Sequence, residues 1–265
     1  MKSNPVMTTD QKVQSDTSLD DETSRRLAEL DAVFKSPEIP KGLRRNAPSL
    51  HAAASDFWSM AFKPSALSPR MKELVLVALH GTVTALDSEA VHRHVRRAIA
   101  AGASALDVVD VLTTIVSAAN HALYFAMPVL LGELKEFGHP DAEVPPLTPA
   151  TQSIKDAFIR ERGFWNEQRD LLARMMPEYF AELSQISTVS WKDGSLTRKE
   201  RELICVAIDC TVTHTFEPGL RIHIRNALKE GASASEILDV FKLASVIGLE
   251  GYILSAEALF ESPAS

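Results

Sequence analysis

The segment that follows Ser68 is apolar at most of its positions, which predicts a helix buried on nearly all sides. Ser68 and Pro69 supply a capping residue and a proline for the first turn. The apolar positions of this helix are Leu74, Val75, Val77, Ala78 and Leu79. A helix is therefore predicted to begin directly after Ser68.

Three more helices are predicted behind it. A helical pattern over 89–101 ends at Gly102, a residue suited to the left-handed position after a helix. Ser104, followed by Asp107, opens the next helix, and a fourth runs near 118–136. Val and Thr cluster at 82–84, but no hairpin turn accompanies them. The pattern predicts an all-α fold.

The same pattern recurs at an offset of 129 residues. Between 72–111 and 201–240, 16 of 40 positions are identical without a gap, and several of the others exchange one apolar residue for another, such as Val75 for Ile204 and Ile99 for Leu228. The helix signals recur as well: Thr197 with Glu200, Gly231, and Ser233 with Glu236. Such a match indicates an internal duplication, so the chain is predicted to form two tandem helical repeats that build a helical bundle.

The duplication predicts how the chain is divided. We expect a disordered tail over 1–19, a first repeat over 20–138, a proline-rich linker over 139–148 and a second repeat over 149–265.

Charge and composition exclude several functions. The formal net charge is −7 and no basic cluster stands out, which argues against nucleic-acid binding. No apolar run approaches the about 18–20 residues of a membrane span, and the polar N-terminus lacks the apolar core of a signal peptide, so we expect a cytoplasmic protein. Cys205 and Cys210 lie on one predicted helix with side chains roughly 140° apart, which disfavours a disulfide between them.

Each repeat carries one motif: Leu and Ser or Thr, then Glu-Leu opening an apolar helix, then a helix with a histidine, and Gly-Ala-Ser before the next helix. The matching stretches are 67–111 and 196–240. This unit resembles the carboxymuconolactone decarboxylase / alkyl-hydroperoxidase D family. The resemblance implies the helical fold of that family, and it leaves several chemistries open.

Two branches of that family differ in their site residues. The peroxidase branch uses a Cys-x-x-Cys pair that begins seven residues before the histidine, and those positions hold Asp87 and Ala90 in the first copy and Phe216 and Gly219 in the second. Neither copy can form the catalytic disulfide, so a thiol oxidoreductase is disfavoured. The decarboxylase branch uses no cofactor. We accordingly predict no cofactor and no metal site.

The family histidine falls on His94 and His223, and the glutamate of the Glu-Leu pair falls on Glu73 and Glu202. A histidine beside a glutamate can act as a general acid and base near neutral pH. Two further acids, Glu89 and Glu217, lie near the histidines but are shifted from the family position. All six are candidate catalytic residues, and the second copy is favoured. The alternative is that the histidines are core or interface residues and that the glutamates only complement helix dipoles.

Three functions follow as hypotheses. The first is a cofactor-independent lyase or isomerase in aromatic-compound catabolism, acting on a small carboxylated lactone or related acid. The second is a peroxidase-type thiol oxidoreductase, and the third is a non-catalytic member that binds a small molecule or supports an assembly. Family members with one repeat form rings with sites between subunits, so a fused double copy is expected to form a homotrimer. We expect that a partner subunit brings an arginine to the site.

Overall fold

The computed structural model describes residues 27–260, and every regular element within that range is helical. The predicted tail over 1–19 lies outside the described residues. The first helix, α1, is described over 27–31. The others are α2 (Glu38–Asn46), α3 (Pro48–Phe62), α4 (Pro69–Gly81), α5 (Ser88–Ala100), α6 (Ala105–Ile115), α7 (Asn120–Glu136), α8 (Pro149–Arg162), α9 (Gln168–Met175), α10 (Pro177–Asp193), α11 (Arg198–Asp209), α12 (Glu217–Lys229), α13 (Ala234–Val246) and α14 (Glu250–Phe260).

The helix starts lie where the capping signals place them. Ser68 accepts a hydrogen bond from the backbone N–H of Met71, and Thr197 forms a reciprocal capping box with Glu200. Gly102 and Gly231 both have positive φ angles, 95° and 85°, as required of the residue that turns the chain after a helix. The all-α prediction is confirmed.

The chain divides into two compact units, and the described residues of the first are 27–64 and 245–260. Within this unit α2 packs against α3 and α14. The ring of Phe260 lies so close to Gly42 that a Cβ there would meet its Cγ at 2.6 Å. Buried His51 joins Asp31 (Nε2 to Oδ1, 2.9 Å) to the Tyr252 hydroxyl (3.0 Å). These contacts attach the C-terminal helix to the N-terminal helices of the same unit.

The second unit, residues 65–244, contains the helices that match between the two copies. The buried helices α4 and α11 pack against each other, α4 also packs against α5, and α11 packs against α12. The repeat boundaries predicted from sequence were placed by the internal duplication, whereas the two units are defined by contacts between helices. The repeat boundaries therefore stay a prediction.

Equivalent residues of the two copies make equivalent contacts within the second unit. Asp110 accepts a hydrogen bond from the backbone N–H of Leu196 at 2.8 Å, and Asp239 accepts one from that of Leu67 at 3.2 Å. Thr213 donates to Thr84, its own counterpart 129 residues earlier, at 3.2 Å. The duplication therefore produces a pseudo-twofold arrangement in which a carboxylate of each copy binds the residue before the cap of the other copy's buried helix.

One helical stretch, Ala105–Glu136, is long and apolar enough to cross a membrane by length and composition alone, and 28% of its most apolar window is buried. A single such stretch is weak evidence for a span. Asp110, within it, is 3% exposed and forms an ion pair with Arg201, so the start of the stretch is held in protein. The absence of a membrane partner stays a prediction.

Candidate active site

The second copy brings Glu202 and His223 together from neighbouring helices. Glu202 lies on α11, is 1% exposed, and its Oε2 lies 2.6 Å from Nδ1 of His223 on α12. Asn226, one turn further along α12, donates to the other carboxylate oxygen at 3.2 Å. A carboxylate that accepts from Nδ1–H fixes the histidine tautomer and leaves Nε2 as the basic nitrogen.

The first copy repeats this pair. Glu73 Oε2 lies 2.7 Å from Nδ1 of His94, and Arg97 Nε donates to Glu73 Oε1 at 2.8 Å. Burial raises the pKa of Glu73, but the hydrogen bond and charge of His94 and the charge of Arg97 outweigh burial and hold it below its ordinary value. The Glu-Leu motif and the family histidine therefore form a pair in both copies.

The two histidines differ in their access to solvent. The side chain of His223 is 11% exposed, whereas that of His94 is 0% exposed. His94 is covered by a parallel imidazole, that of His80, with ring centroids 5.2 Å apart. Burial, followed by the charges of His94 and Arg93, lowers the pKa of His80 to about 3, so the His80 ring is uncharged near neutral pH. A molecule from solvent can reach only the second copy's histidine.

Asp209 occupies the second copy's equivalent of His80. It is 1% exposed, its Oδ2 has no hydrogen-bond partner, and that oxygen lies 3.9 Å from Nε2 of His223. Burial raises the pKa of the Asp209 carboxyl to about 7. The charge of His223 acts in the opposite direction but does not outweigh burial. Gly219 lies directly against the carboxylate. Its hydrogen side chain leaves room for the carboxylate beside His223.

Two further buried side chains of the same unit are arginines. Arg162 and Arg169 are 7% and 5% exposed, and neither forms an ion pair with a carboxylate of the described residues. Arg162 donates to the Ser187 carbonyl, and Arg169 donates to the Tyr124 hydroxyl, both at 2.9 Å. Nε of both and Nη2 of Arg169 have no hydrogen-bond partner. Burial lowers the pKa of both guanidinium groups.

A short sequence at the end of α8 positions these groups. Gly163 adopts the left-handed conformation, with φ of 73°, and ends the helix directly after Arg162. The chain then turns so that Phe164 packs edge-on against His223, with ring centroids 5.8 Å apart. Arg162 lies 5.3 Å above the Phe164 ring and 4.1 Å above that of Trp191. The aromatic rings thus place the arginine beside the histidine.

Two of the six candidate residues do not lie with the histidines. Glu217 is exposed and pairs with Arg221 one turn later on the surface of α12. Glu89 is exposed in the first turn of α5. Helical geometry explains both positions, since residues five and six positions before a histidine point about 140° and 120° away from it.

Sequence reasoning missed both arginines, and it expected an arginine from a partner subunit instead. Arg162 and Arg169 precede the matched segment of the second copy by many residues. At the offset of 129, they align with Val33 and Pro40. Their absence from the first copy is a sequence signal that sets the second copy apart.

The two thiols are held in their protonated form. Cys205 and Cys210 are both free, on the inner helix α11 and directly after it. Burial raises the pKa of the Cys205 thiol, and burial followed by the charge of Asp209 raises that of Cys210 to about 11. A thiol held protonated is a poor nucleophile.

A surface cavity lies between α8 and α10, lined by Ile154, Ser184, Thr188 and Lys192 among others. Neither Glu202 nor His223 lines it. Solvent reaches the acid–base pair at the exposed part of the His223 side chain.

The duplicated all-helical fold with a buried Glu–His pair in each copy defines the class of this protein. The sequence profile of the Carboxymuconolactone decarboxylase family matches residues 177–261. A crystal structure from Burkholderia xenovorans LB400, at 1.70 Å resolution and described as a candidate gamma-carboxymuconolactone decarboxylase subunit, is 31% identical. The match covers 89% of this chain and 95% of that one with a TM-score of 0.81. No curated protein matches the chain. The chain belongs to the carboxymuconolactone decarboxylase family.

Proposed function

We propose that this protein is a lyase or isomerase that acts on a small carboxylated lactone or a related acid from aromatic-compound breakdown and needs no organic cofactor. Its site is in the second copy. The observation that carries the proposal is the pair of buried guanidinium groups, on Arg162 and Arg169, that lack a carboxylate partner beside the Glu202–His223 pair.

A buried charge without an ion-pair partner is costly, so a folded protein that retains it has a reason to do so. An anionic ligand would supply the missing partner, and a guanidinium binds a carboxylate through two parallel hydrogen bonds. The free N–H groups, Nε of both arginines and Nη2 of Arg169, are the donors available for it. A small acid is therefore the class of substrate that this site fits.

The arginines are best assigned to an oxygen anion that remains on the substrate. Ion pairs with the departing carboxylate would stabilise the ground state and slow the loss of CO2. If they hold another carboxylate or the enolate-like oxygen, they stabilise the charge that develops as the C–C bond breaks. Electrons from that bond enter the substrate, and CO2 leaves.

His223 then completes the reaction. Its Nε2 delivers a proton to the carbanionic carbon, and the charge of Glu202 at Nδ1 stabilises the imidazolium form that carries it. The proton consumed is regained from solvent, which the 11% exposed side chain can reach. An isomerase would use the same nitrogen to remove a proton and return it elsewhere on the substrate.

Two alternatives remain open. A thiol oxidoreductase is disfavoured because Cys205 and Cys210 are both held protonated near neutral pH. A binding or assembly role would use the arginines without the histidine. Turnover of an acid would distinguish the lyase from the binding role. Activity that survives the replacement of both cysteines would distinguish the lyase from the thiol oxidoreductase.

The test is a panel of small lactone acids and β-keto acids, followed by CO2 release and mass change, with a hydroperoxide assay alongside. We expect wild type to turn over an acid and His223→Gln to lose about 10²–10⁴-fold in kcat, the usual contribution of a general acid. Arg169→Gln should raise KM. The matched control is His94→Gln at the equivalent position of the first copy, which should keep most activity.

Circular dichroism and the melting temperature of each variant show that it folds. Full activity in folded His223→Gln would refute the assigned role of that residue. Failure of wild type to turn over any acid, with acids nevertheless bound, would favour the binding role.

We also propose that the chain assembles into a homotrimer. The structure described above from Burkholderia xenovorans is called a subunit. Exposed apolar side chains are frequent between residues 106 and 137, and this segment is a candidate interface. They are Leu106, Val109, Val116, Phe125, Val129, Leu130 and Phe137.

A further inference from the structure

Three side chains that can bind metal ions meet on the side of Asp209 that faces away from Gly219. His121 lies at the start of α7, Asp209 is the last residue of α11, and His214 lies in the loop before α12. Their ligand atoms lie within 4.8 Å of one another. The individual distances are 2.6 Å from His121 Nδ1 to His214 Nε2, and 3.9 and 3.7 Å from these nitrogens to Asp209 Oδ1.

The loop that carries His214 is built to hold it there. The N–H groups of His214 and Thr215 both donate to the Thr211 carbonyl, and the N–H of Phe216 donates to the Asp209 carbonyl at 2.9 Å. Thr215 has a positive φ of 38°, which a non-glycine residue adopts at a cost. The loop of the first copy has the same turn, with Leu86 at φ 44°, but it carries Ala85 where the second copy has His214.

The polar groups of this cluster are poorly compensated as they stand. Asp209 Oδ2 is buried without a hydrogen-bond partner. The two imidazole planes are nearly parallel, at 13°, and Phe216 stacks on His121 with ring centroids 3.8 Å apart.

We propose that His121, His214 and Asp209 bind a divalent transition-metal ion, through His121 Nδ1, His214 Nε2 and the Asp209 carboxylate. Two imidazoles and one carboxylate are a ligand set of catalytic zinc sites and of non-haem iron sites. Ligand atoms about 2.0–2.1 Å from a tetrahedral ion are about 3.3 Å apart. The observed separations of 2.6, 3.7 and 3.9 Å bracket that value, so a small rotation of the two imidazoles suffices.

His223 lies next to this set without belonging to it. Its Nε2 is 3.9 Å from Asp209 Oδ2, and Glu202 fixes its Nδ1. Three protein ligands leave a fourth position for water or substrate, as in catalytic zinc sites. The ion would thus lie beside the acid–base pair. Metal binding does not depend on the proposed reaction, and it departs from the prediction of no metal made on sequence alone.

The experiment measures binding of Zn2+ and Co2+ to untagged protein that has been treated with a chelator and then freed of it. Calorimetry gives affinity and stoichiometry, and visible d–d bands of Co2+ report tetrahedral coordination. The variants are Asp209→Asn, His121→Gln and His214→Gln. The matched control is His92→Gln, because His92 is an exposed histidine on α5, outside the cluster.

We expect one ion per chain in wild type and in His92→Gln, and at least about tenfold weaker binding in each cluster variant. Zn2+ should raise the melting temperature of wild type and leave that of Asp209→Asn unchanged. The melting transition of Asp209→Asn itself also shows that the variant is folded. Absence of binding by wild type would overturn the proposal, and the two histidines would then simply share a proton. Binding of equal strength in all variants would overturn it as well, since the ion would be elsewhere. Neither result depends on turnover.

Discussion

The second copy's site depends on a glycine, Gly219, whose side chain is a single hydrogen atom. The position that holds Gly219 in the second copy holds Ala90 in the first, and the position that holds Asp209 holds His80. A Cβ on Gly219 would overlap Oδ2 of Asp209 and meet the Phe216 ring at 2.7 Å. The glycine and the buried carboxylate therefore depend on each other.

Gly219→Ala is expected to destabilise the protein even though alanine is the better helix former. The gain in helix propensity is about 1 kcal/mol. Overpacking against a buried carboxylate and a ring costs about 1–3 kcal/mol, so a net loss of about 1 kcal/mol is expected in urea denaturation. The matched control is Gly132→Ala on α7, where a Cβ would meet nothing within 4 Å. That variant should be neutral or more stable, and equal stabilisation of both would contradict the argument.

At the scale of elements, the two copies are joined by a buried ion pair. Arg201 on α11 donates to both carboxylate oxygens of Asp110 on α6, and the two side chains are 3% and 0% exposed. Gly194 makes room for the pair, because a Cβ there would overlap both side chains. Asp110 also accepts from the N–H of Leu196, so one carboxylate holds both the start and the interior of the segment that forms α11.

Asp110→Asn should therefore cost about 3 kcal/mol or more of unfolding free energy, since it leaves the Arg201 charge buried without a partner. The matched control is Glu217→Gln, which removes one member of the exposed pair with Arg221. An exposed helical pair contributes about 0.3–0.5 kcal/mol. Similar effects of the two substitutions in chemical denaturation would show that the buried pair does not hold the copies together.

The helices could be predicted from sequence because their signals are local. Ser68, Thr197 and Gly102 act within one turn of their own position, and the duplication showed each signal twice. The Glu–His pairs could be predicted from the family motif. His121, Arg162 and Arg169 could not, because only tertiary packing brings α7, α8 and α9 to the second copy's histidine. At the offset of 129 these three residues align with Glu250, Val33 and Pro40, so no residue type is repeated there.

At the scale of the whole molecule, the distribution of exposed apolar residues bears on assembly. A stable interface buries about 800 Å² on each partner, with an apolar centre. Phe125 is 76% exposed within the apolar segment between residues 106 and 137, and Phe137 is 82% exposed at its end. Leu50, in the other compact unit, is also exposed, at 69%.

These residues make the trimer testable. Light scattering of wild type should give a mass three times that of the 29.0 kDa chain. Phe125→Lys should shift the protein to a smaller species, because a buried lysine without a partner is costly at an interface. Leu50→Lys makes the same exchange outside the segment and should leave the mass unchanged. A monomeric wild type would contradict the trimer, while a Leu50→Lys variant that dissociates as readily as Phe125→Lys would place the interface elsewhere.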